Sequence, residues 1–415
     1  MSTSSPRDLP DLPRRPTGLE PTLLPQGDAP PAPSTLVDDL VALAARGLAA
    51  SFIPETGQFA QTVRAVRGTD GVELVREGQS LRYAAIAALG LSRLPEAERA
   101  AVLGDTTVSR LIDVARRQAT ETPDPGAIAL TAWAVAEADG SSVDGLLARL
   151  DLLLSDNRPL PTVDVAWMLT AAIAAQERVG VRGGRDRSGH IIALARDRLL
   201  NAQGPTGIFP HALPARSMGR WRAHVGCFAD QVYPIQALAR LAVHTNDRVA
   251  LHGANSAARR ICDLQGPAGQ WWWHYDARLG SVVEGYPVYS VHQHAMAPMA
   301  LLELLDANGD DHTDAVILGL GWLDTHPEVI DDLINDHRAL IWRKVGRREP
   351  AKAARKLSAV TTSLRPGWRL PGLDAVMPPN RIDHECRPYE LGWLLYTWGA
   401  PRRVGTAPAT ADGEG

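Results

Sequence analysis

The chain has 415 residues, of which 45% are hydrophobic and 22% charged, as in a globular protein with one large domain or two ordinary ones. Its net charge of −4, with both signs interspersed, gives no field that would attract nucleic acid, so we expect no nucleic-acid partner. Three cysteines are too few for a disulfide framework, and no apolar run is long enough to span a bilayer. These features predict a cytoplasmic protein with reduced thiols.

The ends of the chain differ from its middle. Residues 1–33 are rich in proline and lack the apolar core of a signal peptide. Such a composition is typical of disorder. We therefore expect a disordered leader at 1–33, one folded domain at 34–400 and a disordered tail at 401–415.

Apolar residues recur at helical spacing from Ser34 onward, and Gly and Pro mark the loops. The pattern predicts twelve helices, at residues 35–52, 80–94, 95–120 (broken near Gly104), 124–138, 142–154, 162–179, 188–202, 227–244, 247–264, 290–307, 312–326 and 387–398. Residues 59–75 favour a short hairpin or an extended excursion, and residues 331–364 form a mixed insertion of uncertain structure.

Every second helix is apolar on all sides, whereas its neighbours carry charges on one face. The apolar segments are 81–91, 127–138, 163–175, 228–242, 291–305 and 391–398. A helix that is apolar all round is buried, and an amphipathic one lies at the surface. Six buried and six surface helices predict an all-α fold, an (α/α)6 toroid of six helical hairpins. An open solenoid of helix pairs is the alternative, but it would not need so uniformly apolar an inner layer.

Polar and aromatic residues recur where the six inner helices begin. They include Arg82, Tyr83, Asp124, Thr162, Asp164, Asp230, Tyr233, Tyr289, His292, His294, Arg387, Tyr389 and Glu390. Helix N-termini offer unpaired N–H groups and a partial positive charge, which favour anionic or oxygen-rich ligands. The pattern predicts a funnel with its site at one end. Helix capping is the simpler explanation for Asp124, Thr162 and Asp230.

Three long loops, 203–225, 266–290 and 365–386, lead into inner helices and could close over the funnel. The second contains Trp271, Trp272, Trp273 and His274, whose rings suit a ligand pocket, although the tryptophans could equally fill a gap in the core. A basic stretch at 338–356 indicates either a solvated helical face or a site for an anion.

The run Gln265 to Trp271, QGPAGQW, resembles the Q-x-x-x-G-x-W repeat of terpene cyclase and prenyltransferase toroids, and residues 315–323 are similar to the helix of such a repeat. The resemblance implies a toroid, an architecture shared with the six-hairpin carbohydrate enzymes, and a site at the N-terminal ends of the inner helices. The D-x-D-D acid of the class II cyclases is absent. The zinc ligands of prenyltransferases have no match in spacing, although His292 or His294 with Asp383, His384 or Cys386 could form a zinc site.

The residue types favour carbohydrate chemistry on a small molecule or an oligosaccharide. We expect a lyase or epimerase with catalytic residues Tyr289, His292, Asp230 and Glu390 and no cofactor or metal. The predicted substrate-binding residues are Trp271, Trp272, Trp273, His274, Tyr286, His294, Arg387, Tyr389, His211 and Arg82. A hydrolase with a carboxylate pair drawn from Asp230, Asp276, Glu284 and Glu390 is the second hypothesis. An isoprenoid-binding toroid or a non-catalytic scaffold is the third.

Overall fold

The computed structural model describes residues 33–68, 71–156, 158–178 and 185–399. Except for Pro33, the leader and tail predicted to be disordered lie outside these ranges, so the domain boundaries remain predictions. The helices are α1 Pro33–Ser51, α2 Leu81–Leu91, α3 Glu96–Leu103, α4 Val108–Glu121, α5 Pro125–Ala134, α6 Asp144–Ser155, α7 Thr162–Arg178, α8 Arg185–Ala202, α9 Ala229–Thr245, α10 Arg248–Asp263, α11 Ala297–Asp306, α12 Thr313–Thr325, α13 Ala353–Leu364, α14 Leu373–Val376 and α15 Pro388–Trp398.

All twelve predicted helices are present. The third is divided at Gly104 into α3 and α4, and two further short helices, α13 and α14, fall in or after the mixed insertion. A π-helical segment, Val135–Asp139, extends α5, and another, His292–Met296, leads into α11.

Six helices form a closed inner ring. In ring order α2, α5, α7, α9, α11 and α15 pack on one another, and α15 returns to α2. Helices α1, α4, α6, α8, α10 and α12 surround them, so the predicted (α/α)6 toroid is confirmed and the open solenoid is wrong. The ring closes where α2 and α15 touch through glycines, because a Cβ on Gly90 would lie 2.2 Å from the carbonyl oxygen of Gly392.

The inner helices hold the core. All residues from Ala84 to Leu91 of α2 are buried, as are most residues of α15. Small side chains let the six helices approach closely, and Trp133, Trp393 and Tyr396 fill the centre with ring centroids 5.5–5.6 Å apart. No helix among the described residues is both long and apolar enough to cross a membrane.

The strands belong to the loops, in small sheets of two to four strands. They are β1 Phe52–Ile53, β2 Gln58–Gly68, β3 Gly71–Gln79, β4 Leu160–Pro161, β5 Ala212–Leu213, β6 Val225–Cys227, β7 His274–Asp276, β8 Val282–Glu284, β9 Val288–Tyr289, β10 Ile334–Asn335, β11 Leu340–Ile341, β12 Lys344–Gly346, β13 Arg381–Asp383 and β14 Glu385–Cys386. The predicted hairpin is present as β2 and β3, with strands of eleven and nine residues. Strand β12 lies between β9 and β13, which brings Lys344 opposite Tyr289.

Candidate active site at the N-terminal ends of the inner helices

We call the end of the ring where the inner helices begin the mouth of the funnel. The first and last inner helices, α2 and α15, meet there. The rings of Tyr83 and Tyr389 have centroids 4.4 Å apart, and Arg387 Nη1 donates to the Tyr83 hydroxyl over 2.8 Å. Tyr389 and Tyr83 are half-buried. These contacts across the ring closure join residues more than 300 positions apart.

Arg82 links three inner helices at the mouth. Its Nε donates to Asp124 Oδ2 over 2.8 Å and its Nη1 to Asp164 Oδ1 over 2.9 Å. Asp124 also accepts from the Gly126 N–H over 3.1 Å, so it caps α5 as the simpler explanation held. Burial opposes ionisation of both carboxyls. Arg82 outweighs it at Asp124, whose pKa is lowered, but burial dominates at Asp164, whose pKa is raised.

Glu390, on the first turn of α15, is the most unusual titratable group of the mouth. It is 1% exposed, and neither carboxylate oxygen has a hydrogen-bond partner among the described residues. Arg343 Nε lies 3.3 Å from Oε1 as an ion pair. Burial raises the pKa of Glu390 to about 7, against the opposing effect of Arg343. At neutral pH this carboxyl can therefore either donate or accept a proton.

Tyr289 stands at the end of β9, just before the helix that carries His292. Arg343 lies 4.9 Å and Lys344 Nζ 5.6 Å from the centroid of its ring. The rings of Tyr289 and His292 have centroids 4.9 Å apart, and both contact Trp273, at 4.8 and 5.8 Å. Burial raises the pKa of the Tyr289 hydroxyl. The two rings, both of residues predicted to be catalytic, therefore meet, although Tyr289 precedes the helix.

His292 is enclosed on both faces. Its ring stacks on Trp273 and lies 4.4 Å, centroid to centroid, from Phe228, with the Trp271 backbone within hydrogen-bonding reach. Burial lowers its pKa well below the usual range. The imidazole is therefore neutral at physiological pH.

His211, Cys227 and Asp230 form a second polar cluster beside the mouth. His211 Nδ1 lies 2.9 Å from Asp230 Oδ2, and the Cys227 N–H donates to the same oxygen over 2.7 Å. Asp230 is fully buried. Its charge raises the pKa of His211, whereas burial raises that of the Cys227 thiol.

A cavity of about 460 Å³ opens next to this cluster. Its wall includes His211, Trp221, Arg222, Val225, Cys227, Trp273, His274, Lys352, Arg355, Lys356, Ala359 and Val360. The lining thus combines two tryptophans with four basic side chains. Lys352 and Lys356 are two of only three lysines in the chain, and the third, Lys344, lies against Tyr289.

The basic stretch is not a solvated helical face. Arg343 and Lys344 are at the mouth, and Arg347 is buried in an ion pair with Glu284, 2.9 Å apart. Within the stretch, α-helix begins only at Ala353. Sequence reasoning missed Arg343 as a mouth residue because helical periodicity does not apply to the segment that leads into strand β12. The clustering of the three lysines was the signal that could have found this region.

Several predicted binding residues lie elsewhere. Trp272 packs edge-on against Tyr286, whose hydroxyl donates to Glu328 over 2.9 Å. His294 is fully buried, and its carbonyl accepts from Trp398 Nε1 over 2.7 Å near the other end of the ring. None of these contacts reaches the mouth.

The QGPAGQW run follows α10 in the chain and packs against α12, so its role is structural. Gln265 Nε2 donates to the Ala315 carbonyl over 2.9 Å, and Trp271 is fully buried against Phe228. Gly269 has φ +96°, and a Cβ there would lie 2.0 Å from the Leu318 carbonyl oxygen. The spacing of Gln, Gly and Trp therefore reflects helix packing. The alternative explanation, that tryptophan fills the core, holds for Trp271 but not for Trp273.

Other acidic and metal-ligand candidates are also engaged elsewhere. Asp276 pairs with Arg278 over 2.7 Å, and Asp383 with Lys344 over 2.6 Å. Among the described residues, the only group of three His, Cys, Asp or Glu side chains close enough to hold a metal is His211, Cys227 and Asp230. The zinc site considered from His292 or His294 with Asp383, His384 or Cys386 is not formed.

No family model and no curated protein matches the sequence. Solved structures do match over nearly the whole chain. D-mannose isomerase is 10% identical with a TM-score of 0.56, covering 89% of this chain and 99% of that one. An unsaturated glucuronyl hydrolase specific for heparin is 12% identical with a TM-score of 0.52, covering 88% and 96%. A possible GH105 member from Salmonella enterica serovar Paratyphi A is 10% identical with a TM-score of 0.51, covering 90% and 95%. The chain therefore has the fold of the six-hairpin, glycosidase-like α/α toroids.

Proposed function

We propose that the protein is a carbohydrate-active enzyme that acts on an acidic sugar by acid–base catalysis at the mouth of the toroid. The observation that carries the proposal is Glu390, a buried carboxyl beside Tyr289 and Arg343 that has no hydrogen-bond partner in the described part of the chain. A buried, unsatisfied titratable group is costly to the fold, and such groups concentrate at functional sites. The sugar-enzyme names of the similar structures agree with this assignment.

The neighbouring cavity supports an acidic sugar as substrate. Trp221 and Trp273 offer flat apolar faces, on which the C–H surface of a sugar ring can pack. Arg222, Lys352, Arg355 and Lys356 supply positive charge that binds a carboxylate, sulfate or phosphate. An uncharged hydrocarbon would gain nothing from these cations, which disfavours the isoprenoid chain itself as the ligand of this space.

In the proposed chemistry Glu390 and Tyr289 exchange protons with the substrate. Arg343 lies against both and stabilises negative charge that develops next to the sugar carboxylate. His292, neutral and enclosed between Phe228 and Trp273, positions the Trp273 and Tyr289 rings. This arrangement suits a lyase or an epimerase, in which the proton beside the carboxylate is removed.

A hydrolase is the second candidate, and the Arg82 cluster favours it. The pKa of Asp164 is raised by burial, whereas the pKa of Asp124 is lowered by Arg82. Two carboxyls whose pKa values are pushed apart are the usual acid and base of glycoside hydrolysis. In that case Asp164 is the acid and Asp124 the base or nucleophile.

The first experiment identifies the ligand. The full chain is screened by thermal shift with uronates, sulfated and phosphorylated sugars, their neutral counterparts and prenyl diphosphates. We expect acidic sugars to raise the melting temperature and neutral ones not to. Trp221→Ala and Lys356→Ala should remove the shift, whereas Trp368→Ala and Arg365→Ala, at exposed residues outside the cavity lining, should keep it. A shift with prenyl diphosphates alone would contradict the proposal.

The second experiment separates the two reaction classes on the sugar so identified. For a lyase or epimerase, Glu390→Gln and Tyr289→Phe should each lower kcat by roughly 10²–10⁴-fold, and Asp164→Asn much less. For a hydrolase the order is reversed. Tyr286→Phe is the matched control, because Tyr286 contacts Glu328 away from the mouth. Full activity in all three variants would refute both assignments.

A further inference from the structure

We propose that His211, Cys227 and Asp230 bind a zinc ion on the wall of the cavity. One ligand atom from each residue can be chosen so that all three lie within 4.8 Å of one another. Imidazole nitrogen, thiolate sulfur and carboxylate oxygen are the atoms with which proteins bind zinc. A thiolate and an imidazole together select zinc over magnesium or calcium, which prefer oxygen alone.

The backbone holds these three residues in place independently of any metal. Cys227 ends β6 and Asp230 lies on the first turn of α9, three residues later. The Cys227 N–H donates to Asp230 Oδ2 over 2.7 Å, which fixes the carboxylate against the turn. The His211 N–H donates to the Val225 carbonyl over 3.0 Å, which ties the histidine's loop to the same strand.

Asp230 supplies the observation that points to a cation. The residue is 0% exposed, yet its Oδ1 has no hydrogen-bond partner among the described residues. A buried acceptor without a partner destabilises the fold. A zinc ion bound to Oδ1 would satisfy this atom, and the charges of one thiolate and one carboxylate would balance the ion.

The site would keep one coordination position open. His211 and Cys227 both line the cavity, and the His211 side chain is 38% exposed. Three protein ligands with an open fourth position are the pattern of catalytic zinc, whereas structural zinc is closed by four. His274, opposite Cys227 across β6 and β7, lines the same cavity, and its Nδ1 has no partner among the described residues. A substrate oxygen could therefore reach the metal from the cavity.

From the sequence we expect no metal, and the zinc ligands that the sequence suggests are residues other than these three. The three residues come from a loop, the end of a strand and the start of a helix, and they are separated by 16 and 3 positions, a spacing that matches no common zinc motif. The proposal does not depend on the proposed function, because metal binding is measured without a substrate.

The test uses the full chain, stripped with a chelator, dialysed against zinc and desalted. We expect about one zinc per chain, a rise in melting temperature with zinc, and a thiolate-to-cobalt absorption band after cobalt replaces zinc. Cys227→Ser and Asp230→Asn should weaken zinc binding at least about tenfold, and Cys227→Ser should abolish the cobalt band. Cys262→Ser is the matched control and should bind zinc like the parent, because Cys262 lies on α10 outside the cluster.

Two results would overturn the site. The first is a parent chain that retains well under one zinc and shows neither the stabilisation nor the cobalt band. The second is unchanged binding in Cys227→Ser and Asp230→Asn. If a variant fails to fold, as judged by its helical circular dichroism, the stoichiometry and cobalt band of the parent and of Cys262→Ser still decide the question.

Discussion

The two ends of the inner ring both bury a glutamate, and they treat it in opposite ways. At the end formed by the helix C-termini, Glu137 accepts from Trp133 Nε1 and the Tyr396 hydroxyl, each over 2.6 Å. Arg240 and Arg93 donate to it over 3.0 and 2.5 Å. Burial opposes ionisation, but the two arginines outweigh it and lower the pKa of Glu137 to about 2.

At the mouth, the Glu390 side chain is 1% exposed, against 10% for Glu137, and its oxygens have no hydrogen-bond partner among the described residues. Burial raises its pKa to about 7, because the single ion-pair partner within 4 Å among the described residues, Arg343, does not offset the loss of solvent. The difference in hydrogen bonding between Glu137 and Glu390 indicates different roles for the two ends of the ring. A carboxylate with all its hydrogen bonds satisfied stabilises the ring, whereas one left unsatisfied is available to a ligand.

The largest expected effect comes from disrupting the hydrogen bonds around Glu137. Arg240→Ala removes the partner shared by Glu137 and Glu303, which Arg240 Nε contacts over 2.6 Å. An uncompensated buried charge should lower the free energy of unfolding by about 3–5 kcal/mol, measured by chemical denaturation. Arg248→Ala, at an exposed arginine, should change it by less than about 0.5 kcal/mol. Equal effects of the two substitutions would contradict a structural role for this network.

The second prediction concerns the unsatisfied end. The pKa of Glu390 is about 7 in the folded protein and 4.5 in the unfolded chain. Between these two pH values the folded protein keeps a proton on Glu390 that the unfolded chain has already lost. The parent therefore loses stability as pH rises through this range. Glu390→Gln lacks this loss, so the stability of the variant relative to the parent should increase from pH 5 to pH 8, by up to about 3 kcal/mol. A difference that is independent of pH would show that Glu390 titrates normally.

The smallest expected effect on stability comes from removing single tyrosine hydroxyls, one with a hydrogen-bond partner and one without a partner among the described residues. Tyr83→Phe removes the acceptor of Arg387 and should cost about 0.5–1.5 kcal/mol. Tyr275 is fully buried, and its hydroxyl has no hydrogen-bond partner among the described residues, so Tyr275→Phe should be neutral or stabilising. Thermal melts of the two variants measure the difference. The reverse order would mean that the ring closure does not depend on the Arg387 contact.

The helices and their layers could be predicted from the sequence, because the distribution of apolar and charged residues within each helix indicates whether that helix is buried. Residues 81–91 carry no charge after Arg82, and α2 is buried from Ala84 onward. The same periodicity gave the mouth residues at the inner-helix starts, including Tyr289, Tyr389 and Glu390. Their roles in binding and catalysis remain predictions.

Only the tertiary structure decided which neighbours these residues have. Trp271, Trp272 and Trp273 are consecutive, yet one lies in the core, one packs on Tyr286 and one lines the cavity, because an extended chain turns successive side chains in different directions. Arg343 reaches Glu390 through a loop sheet whose pairing no local pattern specifies. The sequence by itself determined a ring of buried helices with polar starts, because periodicity is local. Long-range packing determined the partners of Glu390 and Asp230, and hence where a proton or a metal can be held.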